Sequence, residues 1–166
     1  VTGNQDAHPA GRLVEQVTRI AALCGGIVLL LAGLIITISV LLRWLVGSGI
    51  DGDFEMMEMA AALAVFAFLP FCQARRGNIM VDTFTGWMSP GGRRLLDALW
   101  DLAWAGFAAL IAWQAFKGGL EEIGYGTTSM SAGIPVGPVI VATALLAGLL
   151  AVVALVTSIR LATGRS

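Results

Sequence analysis

Ile20–Leu42 reads IAALCGGIVLLLAGLIITISVLL, an unbroken run without a single charge. A helix needs roughly 20 mostly apolar residues to cross a hydrocarbon core of about 30 Å. This stretch is therefore sufficient for one crossing. It exceeds the apolar core of a secretory signal, which is roughly 7–15 residues long. Val46–Gly52 beyond it offers no small-x-small cleavage site, so a retained helix is expected. Ile134–Ile159 is a second uncharged run, long enough to span with tilt. Met59–Gln73 and Leu102–Phe116 are also uncharged but shorter. At about 1.5 Å per residue each gives only about 22 Å. Each must draw on its flank, Phe54–Glu58 for the former and Leu95–Asp101 for the latter. The reading is an all-α integral membrane protein of four transmembrane helices, near 20–43, 54–74, 94–117 and 135–160, in a single domain. Composition agrees: 13% of the 166 residues are charged, against about 25% in soluble domains.

The formal net charge of −1 hides a sorting by side. Arg12 and Arg19 precede helix 1, Arg75, Arg76, Arg93 and Arg94 separate helices 2 and 3, and Arg160 and Arg165 close the chain. In a four-helix serpentine those eight share one side, and only Arg43 and Lys117 fall on the other. Cytoplasmic loops carry the excess of Lys and Arg, so both termini are expected in the cytoplasm. The arginines are thereby explained by topology. No basic stripe with stacking aromatics is present, which argues against nucleic-acid binding.

Between the spans, Val1–Gly11 is polar and reads as a disordered tail. Arg12–Arg19 is amphipathic and leads into helix 1, either along the interface or as part of the helix. Asn78–Met88 places Met80, Phe84 and Trp87 at i, i+4, i+7 and predicts a short interfacial helix in contact with lipid headgroups. Ser89-Pro90 suits the start of helix 3. Gly118–Gly133 is the longest outside loop, and Pro135 and Pro138 sit where helix 4 begins.

The chemistry-bearing residues are few. His8 is the only histidine and lies in the tail, so no axial ligand for a haem between helices is available. Cys24 and Cys72 match no metal spacing and are expected as buried free thiols. No nucleophile elbow, phosphate-binding loop or zinc-hydrolase motif occurs. No enzyme activity and no cofactor are expected. Glu55 and Glu58 share one face at the start of helix 2, where the helix dipole favours negative charge. Glu58 is the deeper, a candidate partner contact. Asp97 and Asp101 repeat the pattern in helix 3. Trp100 and Trp104 form a parallel pair that reads as an aromatic anchor or a docking face for another subunit. Small residues recur at packing distance: Ala144 with Gly148, Ala147 with Ala151, Ala105 with Ala109. Helix 1 offers only Thr37 and Ser39 and helix 4 offers Thr143, drier than a carrier with broken helices and polar groups near mid-membrane requires.

The order of these features resembles a known family. A glutamate opens helix 2 in FEMMEMAAALAVFAFLPF, a basic turn follows in RRGNIMVD, and SMSAGIP introduces helix 4. Over about residues 12–160 this is similar to the small membrane subunit of tripartite ATP-independent periplasmic (TRAP) transporters. Glu58 looks like the family's helix-2 glutamate, and Arg76, Gly77, Ile79, Val81 and Asp82 match its basic turn. Asn78 departs from a frequent histidine, and Val136-Gly137-Pro138 stands where a tryptophan often follows Ile134-Pro135. The resemblance implies a non-catalytic subunit in a bacterial inner membrane. It would brace a large multi-helix transport subunit during sodium-coupled uptake of an organic acid delivered by a periplasmic binding protein. Candidate partner or interfacial contacts are then Glu58, Arg75, Arg76, Asp82, Trp87, Asp97, Trp100, Asp101 and Trp104. Asp51, Asp53, Glu121 and Glu122 are candidates for docking the binding protein. The alternative from the residues alone is a stand-alone small carrier or proton-coupled exporter using Glu58.

Overall fold

A computed structural model describes residues 9–75 and 90–163. Four helices account for nearly all of them: α1 (Pro9–Val46), α2 (Asp53–Ala74), α3 (Pro90–Tyr125) and α4 (Val136–Ala162). Each is long and apolar enough to cross a membrane. The amphipathic Arg12–Arg19 stretch is the first part of α1, continuous with the span. Helix therefore begins at Pro9, inside the stretch expected as a tail. The expected interfacial helix over Asn78–Met88 lies outside the described residues, as do Arg76, Asp82 and Trp87.

The third helix departs most from its expected bounds. It runs on to Tyr125, so the outside loop shrinks to the ten residues before Val136. The sequence there, GGLEEIGY, holds three glycines and two glutamates that interrupt the apolar pattern. Its backbone nevertheless keeps its hydrogen bonds by staying helical beside α4. Gly119 is buried against Val141 and Ile140, and Gly137 against Ile123. Packing against α4 thus outweighs the low helix propensity of glycine.

The helices stand in the order α1–α2–α4–α3. α1 packs on α2, α2 on α4, and α4 on α3, while α1 barely meets α4. Adjacent chain neighbours run antiparallel, with Ser39 of α1 bonded to Asp53 of α2, and Ala98 of α3 bonded to Ser158 of α4. α2 and α4 consequently run parallel. The two ends differ in charge. Glu15, Arg75 and Arg160 meet at one end, hereafter basic, and Asp51, Asp53, Glu55, Glu121 and Glu122 lie at the other, hereafter acidic.

Small residues make the seams. On α1 the buried residues are Thr18, Gly25, Ala32 and Ser39, one every seventh position. A seven-residue repeat keeps one stripe of a helix against one neighbour. A Cβ on Gly25 would stand 2.6 Å from that of Ala67, so the backbones of α1 and α2 approach closely there. On α3, Ala98, Ala105 and Gly119 are buried at the same repeat, with Ala112 half-buried between them. α4 has neighbours on two sides and fully buries Ala147, Val153 and Ala154. Of the small-residue pairs read from the sequence, Ala144, Ala147 and Ala105 are in the core, whereas Ala109 faces outward. Large apolar side chains point away from the seams: Leu30, Leu110, Trp113 and Leu145 are all exposed.

The two cysteines correct the expectation. Cys24 and Cys72 are free, but both are exposed on the helix surface. Cys24 directly precedes the buried Gly25 and Cys72 directly precedes the buried Gln73. Each is therefore turned about 100° off its seam.

Candidate functional site

At the acidic end two carboxylates, Asp53 and Glu55, are held by hydrogen bonds within the chain. Asp53 is the first residue of α2 and is buried. Ser39 Oγ donates to its Oδ2 at 2.6 Å and accepts the Ile50 N–H at 2.9 Å. Phe54 N–H donates to Oδ1 at 2.8 Å, and Arg43 Nη2 lies 3.5 Å from Oδ2. Gly49 fits beneath because a Cβ there would meet Ser39 Oγ at 2.8 Å and Arg43 Nη2 at 3.0 Å. The network closes the α1–α2 turn. Asp53 is one of the docking candidates, and the structure turns its side chain inward. A hydroxyl and a guanidinium within reach make the interior the better place for its charge.

Glu55, in the first turn of α2, holds the loop before α4. Its carboxylate accepts the Ser131 N–H at 3.0 and 3.1 Å and the Ala132 N–H at 2.9 Å. That loop is folded on itself: Ser129 N–H donates to Ile134 O at 2.9 Å, and Val136 N–H to Thr127 O at 3.2 Å. Gly133 turns the chain with φ +64°. Gly52, at φ +76°, leaves room for Ala132, with which any Cβ would overlap. The SMSAGIP segment is thus built onto Glu55. Sequence reasoning singled out Glu58 and passed over this role, whose only signal was an acid in the first turn of α2.

Glu58 is exposed and opens on a groove of about 470 Å³ between α2, α4 and the Ala115 face of α3. The walls are apolar apart from the two glutamates, Ser129 and Thr143. Thr143 Oγ1 donates to its own helix, at Val139 O, 2.9 Å away. Among the docking candidates, Asp51 and Glu121 are exposed and Glu122 is half-buried.

At the basic end Arg75 pairs with Glu15 at 3.2 Å and lies 4.9 Å above the Phe71 ring. This pair is more than half exposed, so it contributes little to stability. Gln73 is buried and its Nε2 donates to Asp101 Oδ1 at 2.9 Å, joining α2 to α3. Asp97 is half-buried one turn earlier on α3. Trp100 and Trp104 are both exposed on α3, and Trp104 stacks on Phe107 with ring centroids 6.0 Å apart. No group of three or more His, Cys, Asp or Glu that could hold a metal occurs among the described residues.

Four apolar helices with charge confined to their ends define a multi-pass integral membrane protein. Residues 32–164 match the family of tripartite ATP-independent periplasmic transporters, DctQ component. The chain belongs to this family and is the small component of a TRAP transporter. Neither a curated protein nor a solved structure gives a significant match.

Proposed function

We propose that this chain is a non-catalytic brace for a large transport subunit. The complex takes up an organic acid with a sodium gradient and a periplasmic binding protein. It resides in a bacterial inner membrane with the basic end in the cytoplasm, as the eight-to-two sorting of Lys and Arg favours. The observation that carries the reading is the row of helices. Among the described residues their interior is sealed mainly by alanine and glycine, with Leu150 and Val153, while most leucines and the tryptophans face outward. A carrier needs a polar site at mid-membrane and interrupted helices. Among the described residues the buried polar side chains, Ser39, Asp53, Gln73, Ser158 and Thr18, all lie toward the helix ends. At the acidic end Asp51, Glu121 and Glu122 are available to meet basic residues of the binding protein.

Reconstitution tests this division of labour. The chain with its large subunit and binding protein should accumulate organic acid only when sodium is higher outside. Without this chain, uptake should fall to background. Liposomes holding this chain alone should transport nothing. Transport by the chain alone that Glu58→Gln abolishes would overturn the proposal in favour of a stand-alone carrier.

A further inference from the structure

We infer that the groove beside Glu58 receives a helix of the large transport subunit, and that this helix brings a lysine or arginine to the Glu58 carboxylate. The inference rests on the bracing role proposed above. α2 and α3 both pack on α4, but their backbones do not meet. At the basic end the gap between them is bridged by Gln73 and Asp101, and Ser158 Oγ ties α4 to Ala98 O at 2.7 Å. Among the described residues no hydrogen bond joins α2 to α3 at the acidic end, and the gap widens there into the groove of about 470 Å³.

The lining states what fits. Met59, Ala62, Val139, Ile140 and Ala115 present an apolar surface. Ala62 and Ala115 are small enough to let another helix backbone come close. The Glu55 carboxylate is occupied by the loop amides. Glu58 faces the same space and makes no hydrogen bond or ion pair among the described residues. It stands about 7 Å along the axis from the first residue of α2, at five residues of helical rise. A carboxylate beside acyl chains is costly, and a cation on an apolar helix satisfies both the charge and the walls. Such a pair also fixes register between subunits.

Two measurements on the complete complex test this. A benzophenone amino acid at Ala62 should cross-link to the large subunit on irradiation, and one at Leu30, outward on α1, should not. Glu58→Gln and Glu58→Lys should lower recovery of the large subunit with the tagged chain by about tenfold or more, the scale of losing one member of a desolvated pair. Glu58→Asp should retain most of it. Because Glu58 has no partner among the described residues, circular dichroism of the isolated variants should be unchanged. Cross-links from Ala62 to phospholipid alone, or from Leu30 and not Ala62, would overturn the groove assignment while leaving the bracing role intact. Unaltered recovery with Glu58→Lys would do the same. Failure of the unmodified chain to hold the large subunit would instead remove the bracing role, and the inference with it.

Discussion

The adjacent glycines Gly118 and Gly119 should respond oppositely to the same change. Both lie inside α3, so replacing either by alanine gains roughly 0.5–1 kcal/mol of backbone entropy. Their surroundings differ. A methyl on Gly118 meets nothing within 4 Å. A methyl on Gly119 would lie 2.7 Å from Val141 Cγ2, 3.0 Å from the Val141 backbone nitrogen and 3.2 Å from Ile140 Cγ2. The valine methyl can rotate away, but the backbone nitrogen cannot. Ordinary contact begins near 3.4 Å, so α3 and α4 must part by about 0.4 Å, which weakens dispersion along the seam. Overpacking of this kind costs about 1–3 kcal/mol. The entropy gain is common to both variants and cancels in their difference. Gly119→Ala should therefore be less stable than Gly118→Ala by about 1–3 kcal/mol. Gly118→Ala should equal or slightly exceed the parent. Unfolding of the purified chain in mixed micelles, followed by helical circular dichroism against denaturing detergent, gives both values. If the two variants shift together, the close approach of α3 to α4 at Gly119 is wrong.

Further outcomes follow from the two ends. Ser39→Ala strands the Ile50 N–H and one bond to Asp53, and should cost about 1–3 kcal/mol in the same unfolding experiment. Glu55→Ala should speed hydrogen exchange at the Ser131 and Ala132 amides by about tenfold, whereas Glu58→Ala should leave them unchanged. Cys24 and Cys72 should react with a bilayer-soluble maleimide in the folded protein, and a need for denaturant would contradict their outward placement. With both cysteines replaced by serine, Met130→Cys should label from outside intact cells. Thr163→Cys should label only after permeabilisation, and the reverse pattern would invert the proposed orientation.

The span count was open to reading because lipid imposes it. A backbone in hydrocarbon must satisfy its own hydrogen bonds, so a long uncharged run becomes a helix. Ile20–Leu42 and Ile134–Ile159 decide this by length, and the arginines sort the ends. The family likeness was legible too, in the order of FEMMEMA, RRGNIMVD and SMSAGIP. The α1 seam was present in the sequence as Thr18, Gly25, Ala32 and Ser39 at a seven-residue repeat, although the apolar residues around it hid the pattern. Neighbours were not legible. Leucine is as well solvated by acyl chains as by another helix, so hydropathy says nothing about which helices touch. The order α1–α2–α4–α3 arises instead from glycines that let neighbouring helices close across seams, Gly25 on Ala67 and Gly137 on Ile123. The fate of the acids depended on that order. Asp53, Glu55 and Glu58 share one helical start and one chemistry. Only the tertiary structure gives Asp53 to Ser39, Glu55 to the loop amides, and leaves Glu58 facing an open groove, because each partner arrives from a different part of the chain.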